Sequence, residues 1–173
     1  MGLAHELGYA YPKANAFQRL VQAFAASRLG AGATPRTLVP LDRLTARFTR
    51  GRVSLPAVLA GLPVVELGTV GRRSGLPRTT HVIAIPFGEN LALLGTNFGQ
   101  PSTPAWVLNL EAHPAATVSH RGTVREVVAR PAGGDERAAI MSRAAEVFAG
   151  AARYDDRLRG HRSVRVFVLA AAS

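Results

Sequence analysis

Cysteine is absent from the 173 residues. That excludes disulfides, thiolate nucleophiles and Cys-ligated metals, and it fits a reducing compartment. Aromatic residues are scarce at 6%. None alternates with arginine in the basic stretches, so a base-stacking platform is poorly supported and no nucleic-acid partner is expected. No apolar run reaches the roughly 18 residues that suggest a membrane-spanning helix. The N-terminus lacks the basic-then-apolar pattern of a secretory signal, so a cytoplasmic location is expected. The five histidines, His5, His81, His113, His120 and His161, form no H-x-x-x-H pair and no His/carboxylate pair at ligand spacing. No metal site is expected from them. The G-x-S-x-G nucleophile elbow, the phosphate-binding G-x-x-x-x-G-K-[ST] loop and the dinucleotide G-x-G-x-x-G turn are missing too.

What is present is positive charge on an ordinary globular composition. The formal net charge is +10, with 47% hydrophobic residues. The length suits one domain with a sizeable core. Lys13 is the single lysine, so arginine carries almost all of the excess. Anionic partners follow from such a balance: nucleic acid, a membrane surface, or a phosphorylated or carboxylated ligand. Over half of the excess lies in residues 1–60, with eight basic residues against two acidic ones.

Along the chain, residues 1–12 show no periodicity and read as a lead-in. Phe17, Leu20, Val21 and Phe24 recur at helical spacing, and Gly30, Gly32 and Pro35 follow. A second amphipathic segment begins near Pro40. Leu41, Leu44 and Phe48 line one side and Arg43, Arg47 and Arg50 the other, with Gly51 as the stop. These helices are either surface helices with solvated arginine faces or a pair resting on an anionic bilayer through residues 13–52. A short turn opens at Ser54 and ends at Gly61. From residue 62 the pattern is that of strands: 64–70, 79–86, 91–96, 115–120, 123–130 and a terminal one built on Val164, Val166 and Val168. Thr103 and Pro104 read as N-cap and first residue of a helix reaching Glu111. Asp135 reads as the cap of a helix to about residue 149, with Ile140, Ala144, Val147 and Phe148 buried. The strands do not alternate with helices as βαβ units. The expected class is α+β, mainly β: a closed or partly split barrel of about six antiparallel strands with peripheral helices. The division expected is a basic helical extension over 1–60, packed on or beside a barrel domain over 61–173.

Two stretches carry candidate chemistry. Residues 71–80, G-R-R-S-G-L-P-R-T-T, join two apolar runs through a sharp bend. Arg72, Arg73, Ser74 and Arg78 load its tip with cations and donors, and guanidinium forks bind oxyanions in pairs. Ser74 reads as a hydroxyl donor to an anion rather than a nucleophile. The second stretch runs from Thr96 to Leu110 and holds Trp106, the only tryptophan. Trp106 is either a core residue closing the barrel end or a platform for a flat ring. A helix N-terminus just before it favours negative charge. Together the two stretches suit an elongated ligand with a flat ring and an anionic tail.

At these residues the chain resembles the deazaflavin-dependent nitroreductase family. These are actinobacterial and archaeal split β-barrel oxidoreductases that use the 5-deazaflavin coenzyme F420. The pattern T-x-G-R-x-S-G-x-P-R appears from Thr69 to Arg78. The later block appears as Thr96-Asn97-Phe98-Gly99-Gln100, then Pro104-Ala105-Trp106 and Asn109-Leu110. The resemblance runs from about Leu41 to the last strand. It implies an FMN-binding split-barrel-like fold and hydride transfer from reduced F420 to a quinone, enone or nitroaromatic. It implies that Arg73 and Arg78 hold the coenzyme's phosphate and oligoglutamate tail, with Ser74 and nearby backbone N–H groups as donors, and that Arg72, Gly75 and Thr79 belong to the same cofactor-binding set. Thr80, His81 and Ile83 of the second strand would line the ring. So would Leu94, Gly95, Thr96, Asn97, Phe98, Gly99 and Gln100, with Ala105 and Trp106 at the deazaflavin end. No obligatory acid residue is implied; the proton can come from solvent.

Three departures stand out. Asn97 replaces a lysine found in some members, and His81 stands where proline is frequent. Where several nitroreductases carry substrate-covering tyrosines, this chain has Arg153 and Asp156, with Tyr154 one residue out of step. These are the substrate-side candidates, and nitroimidazole reduction is not carried over. Two other readings share the barrel: a non-catalytic deazaflavin carrier, or a binder of FMN or haem. The chain is expected as monomer or homodimer, with a small-molecule acceptor as partner.

Overall fold

The computed structural model describes residues 2–9, 64–97, 102–147 and 163–172. The expected N-terminal helices lie outside them, as do Phe98, Gly99, Gln100, Arg153, Tyr154 and Asp156.

Six strands close into an antiparallel barrel: β1 (Val64–Val70), β2 (Pro77–Phe87), β3 (Asn90–Leu94), β4 (Ala115–His120), β5 (Thr123–Pro131) and β6 (Val166–Ala171). Around the barrel the order is β1-β2-β3-β6-β5-β4, and β4 pairs back onto β1. Three hairpins, β1–β2, β2–β3 and β4–β5, follow from tight turns at glycines. The last strand, β6, inserts between β3 and β5, which closes the cylinder and leaves no strand at an edge.

Period-2 alternation sorts the side chains. Val65 and Leu67, Leu91 and Leu93, Val118, Val127, Phe167 and Leu169 fill the interior. On the opposite faces Ile85, Ala92, Val166 and Val168 lie under a helix, α3 (Gly134–Val147), through Ile140 and Ala144. This double burial explains a difference from the sequence pattern at β6. Its valines face α3, while Phe167 and Leu169 take the interior. Strand pairing begins at Val166 rather than Val164. Asp135 is not the cap of α3; it stands in the first turn, after Gly134. Arg130 of β5 donates two hydrogen bonds, 2.6 and 2.7 Å, to the carboxylate of Glu136. Those bonds hold the Glu136 carboxyl below its usual range and tie the start of α3 to the barrel.

Both barrel ends are plugged. Residues 2–9, expected as a lead-in, instead form the short helix α1 (Leu3–Glu6) and its exit. Four residues are too few to show a helical period. Leu3, Leu7 and Tyr9 are buried in the barrel core. The Leu3 N–H donates to the Glu89 carbonyl at 2.7 Å, and the Tyr9 hydroxyl donates to the Ala84 carbonyl at 2.5 Å. At the second plug lies α2 (Ala105–Ala112), with Val107 and Leu110 buried. Among the described residues no helix is long and apolar enough to cross a membrane.

The N-terminal plug is therefore part of the folding unit. Leu7→Ala is expected to cost about 3 kcal/mol, the loss typical of a buried leucine. Urea unfolding of the full chain measures it. A change below about 0.5 kcal/mol, the size of an ordinary surface substitution, would contradict the burial of Leu7.

Candidate functional site

The hairpin tip over 71–76 is built by backbone constraints before any ligand is considered. The Gly71 N–H donates to the Leu76 carbonyl at 2.9 Å, and the Gly75 N–H donates to the Gly71 carbonyl at 2.8 Å. Gly75 adopts φ +65, the left-handed region open to glycine. A Cβ on Gly71 would stand 2.7 Å from Ser74 Oγ and 3.2 Å from the Leu76 carbonyl oxygen, so a side chain there would push Ser74 out of its place in the turn. Ser74 Oγ accepts from the Leu76 N–H at 3.3 Å and from Arg78 Nη2 at 3.5 Å. Its own proton stays available to donate outward.

Three guanidiniums surround this turn. Arg72, Arg73 and Arg78 are all exposed, and among the described residues none forms an ion pair with a carboxylate. Elsewhere in the described residues Arg125, Arg130, Arg143 and Arg165 each pair with a glutamate. The tip thus concentrates uncompensated positive charge on a shaped turn. A phosphate or carboxylate fits such a donor set.

The tip is fastened to α2 by one side chain. Asn109 Oδ1 accepts from the Arg72 N–H at 3.1 Å, and Asn109 Nδ2 donates to Thr69 Oγ1 at 3.1 Å. Thr69 and Asn109, at 6% and 7% exposure, are the two buried polar residues among those described. Each satisfies the other, as burial requires. Both appear in the sequence motifs, but no role for them is visible there. The available signal was an asparagine, a poor helix former, placed between Leu108 and Leu110 in an apolar helix.

Close approach sets the other side of the site. A Cβ on Gly95 would meet Val107 Cγ2 at 2.8 Å and the Arg165 carbonyl oxygen at 3.3 Å. The Gly95 N–H donates to that same carbonyl at 2.8 Å. Next to it, Asn97 turns the chain at φ +47, which asparagine tolerates. Its Nδ2 donates to the Ser102 carbonyl and to Ser102 Oγ, both at 2.9 Å, which ties Asn97 to Ser102. Trp106 is half-buried against the barrel core, edge-on to Phe167 with ring centroids 6.2 Å apart. The helix itself begins at Ala105. Pro104, at ψ 143, is extended and lies just outside it, and no side chain caps α2, so Thr103 is not the N-cap expected.

The predicted ring-side residues divide between two faces of β2. Thr80 pairs with Leu67 and faces inward. His81 pairs with Glu66 on the outer face, with Nε2 4.0 Å from Glu66 Oε2, and Ser119 Oγ donates to Glu66 Oε1 at 3.4 Å. Ile83 and Leu94 pack on the outer cluster beneath α3. The structure brings Arg78 and Ser74 into contact and places Gly95 beside α2. The described residues do not gather His81, Ile83 and Thr80 on one surface.

Residues 41–171 match the family model described as F420H(2)-dependent quinone reductase. Among solved structures, an F420-H2 dependent reductase (FDR-A) is 27% identical at a TM-score of 0.56, over 62% of this chain and 93% of that one. A protein solved as a domain-swapped dimer is 24% identical at a TM-score of 0.57, over 75% and 96%. A haem-binding protein from Mycobacterium smegmatis is 21% identical at 0.50, over 66% and 48%. The last two show a shared fold alone.

The approach of α2 to Gly95 yields a test. Gly95→Ala is expected to destabilise the protein by about 1–3 kcal/mol through overpacking. Adding Val107→Ala removes the struck methyl and should recover part of that loss. Strictly additive losses in a denaturant-unfolding double-mutant cycle would contradict the contact.

Proposed function

The chain belongs to the F420H2-dependent quinone reductase family, and from that premise we propose that it is an oxidoreductase taking hydride from reduced coenzyme F420 to an electron-poor acceptor. Quinones, enones and nitroaromatics are the acceptor classes. The single observation that carries this reading is the hairpin tip, with three guanidiniums that have no carboxylate partner among the described residues, around a turn that presents a serine hydroxyl. Its donors fit a phosphate followed by carboxylates.

Arg73, Arg78 and Ser74 would hold the anionic tail, with Arg72, Gly75 and Thr79 shaping the approach. Gly95, Thr96 and Asn97 would face the ring end, beside Ala105 and Trp106. When bound, the reduced deazaflavin supplies the hydride. The chain's own work is to bind, to orient the acceptor and to exclude water from the reacting atoms. No side chain is assigned as an obligatory acid.

The test is anaerobic oxidation of reduced F420 by the full chain, followed spectroscopically with menadione, cyclohexenone and a nitroaromatic in turn. Turnover with at least one acceptor is expected. Coenzyme binding without oxidation by any of them would replace the enzyme with a carrier, and tight FMN binding without F420 binding would overturn the coenzyme assignment. Arg78→Ala is expected to weaken coenzyme binding by about 2 kcal/mol, the range for a hydrogen bond to a charged group. An unchanged dissociation constant would remove Arg78 from the site.

A further inference from the structure

Asn109 does more than fill a buried position. Within the tip, residues 71–76 bond to one another and to Arg78 of the adjoining strand. Among the described residues, the hydrogen bond from the Arg72 N–H to Asn109 is the one that reaches from the tip to an element outside the β1–β2 hairpin. The orientation of the amide follows from chemistry: a backbone N–H can only donate, so Oδ1 must face Arg72 and Nδ2 must face Thr69. Thr69 stands opposite Arg78 in the β1–β2 ladder, so the Asn109 pair is anchored at the root of the same hairpin. Trp106 precedes Asn109 by three residues, about one helical turn, and the two share a side of α2.

We propose that Asn109 is a positioning residue for anion binding. Its two hydrogen bonds set the tip's backbone, and with it the guanidiniums of Arg72, Arg73 and Arg78, at a fixed distance from Trp106. This proposal rests on the reading of the tip as the holder of the coenzyme's anionic tail. Loss of Asn109 would free the tip without displacing α2, whose Val107 and Leu110 remain buried. The affinity loss should therefore fall on the anionic tail and spare the ring.

Two ligands separate that effect from general destabilisation: oxidised coenzyme F420, and the same deazaflavin cut back to its ribityl alcohol, with no phosphate. Dissociation constants are measured by deazaflavin fluorescence for the wild-type chain, Asn109→Ala and the near-isosteric Thr69→Val. Asn109→Ala should raise the constant for F420 about tenfold and that for the phosphate-free compound less than about twofold, as expected from losing hydrogen bonds that order the anion site. Thr69→Val keeps the Arg72 bond and should show the same selectivity at about threefold. Equal losses for both ligands, or an unchanged F420 constant in folded variants, would overturn the proposal. If Asn109→Ala does not fold, the selectivity of Thr69→Val decides. A ligand-free measurement stands apart from the coenzyme reading. Hydrogen exchange at the Arg72 amide should quicken in Asn109→Ala and stay slow in Thr69→Val. If the wild-type chain binds neither compound, the coenzyme reading falls. The exchange result then still decides whether Asn109 orders the tip, and unchanged exchange would overturn that.

Discussion

A buried amide must satisfy its hydrogen bonds, and in this chain that requirement falls on Asn109. Its carbonyl has one protein donor, the Arg72 N–H, and its amino group one acceptor, Thr69 Oγ1. Both bonds form only when α2 lies at one position against the β1–β2 hairpin. Leaving either group unpaired away from water costs more than the bond itself contributes. The charged tip and the tryptophan helix are therefore coupled elements.

The barrel makes that coupling possible. Closure of β4 onto β1 gives a rigid cylinder, and the helices then dock where the strands leave room. At Gly95 the absence of a side chain lets Val107 approach, which seats α2 over the barrel end. At the opposite end Leu3, Leu7 and Tyr9 complete the core. Apolar contacts hold both plugs, but they are non-directional. A few directional polar contacts add to them: Tyr9 to Ala84 at one plug, Asn109 to Thr69 and Arg72 between the other plug and the hairpin tip, and Arg130 to Glu136 at α3.

Much of this was legible from residue order. Alternation and turn glycines gave all six strands to within a few residues, because each hairpin is a local event. Ile140 and Ala144 were readable as the buried face of α3 from their spacing. The misses have physical causes. α1 is one turn long, and its stability comes from the barrel, so no periodicity could announce it. β6 is buried on both faces, so a valine stripe alone could not say which side met the interior. Thr103 looked like an N-cap, yet the extended Pro104 moved the helix start one residue on. In the candidate site, the arginine tip was legible as a charge cluster on a bend. The Asn109 bridge was not, because it joins residues 37 and 40 positions apart. The resemblance implies that Thr80, His81 and Ile83 line the ring, and strand alternation sends Thr80 inward and His81 and Ile83 outward.

Family membership and the geometry of the tip meet in one claim: the hairpin grips an anionic tail while the reaction takes place beside Gly95 and α2. Hydrogen-exchange mapping of the full chain, with and without saturating oxidised F420, tests it most directly. The account predicts slowed exchange in two separate stretches, residues 71–80 and residues 95–106, with the rest of the barrel unchanged. Protection confined to other strands, or no protection at the tip while the coenzyme is bound, would contradict it.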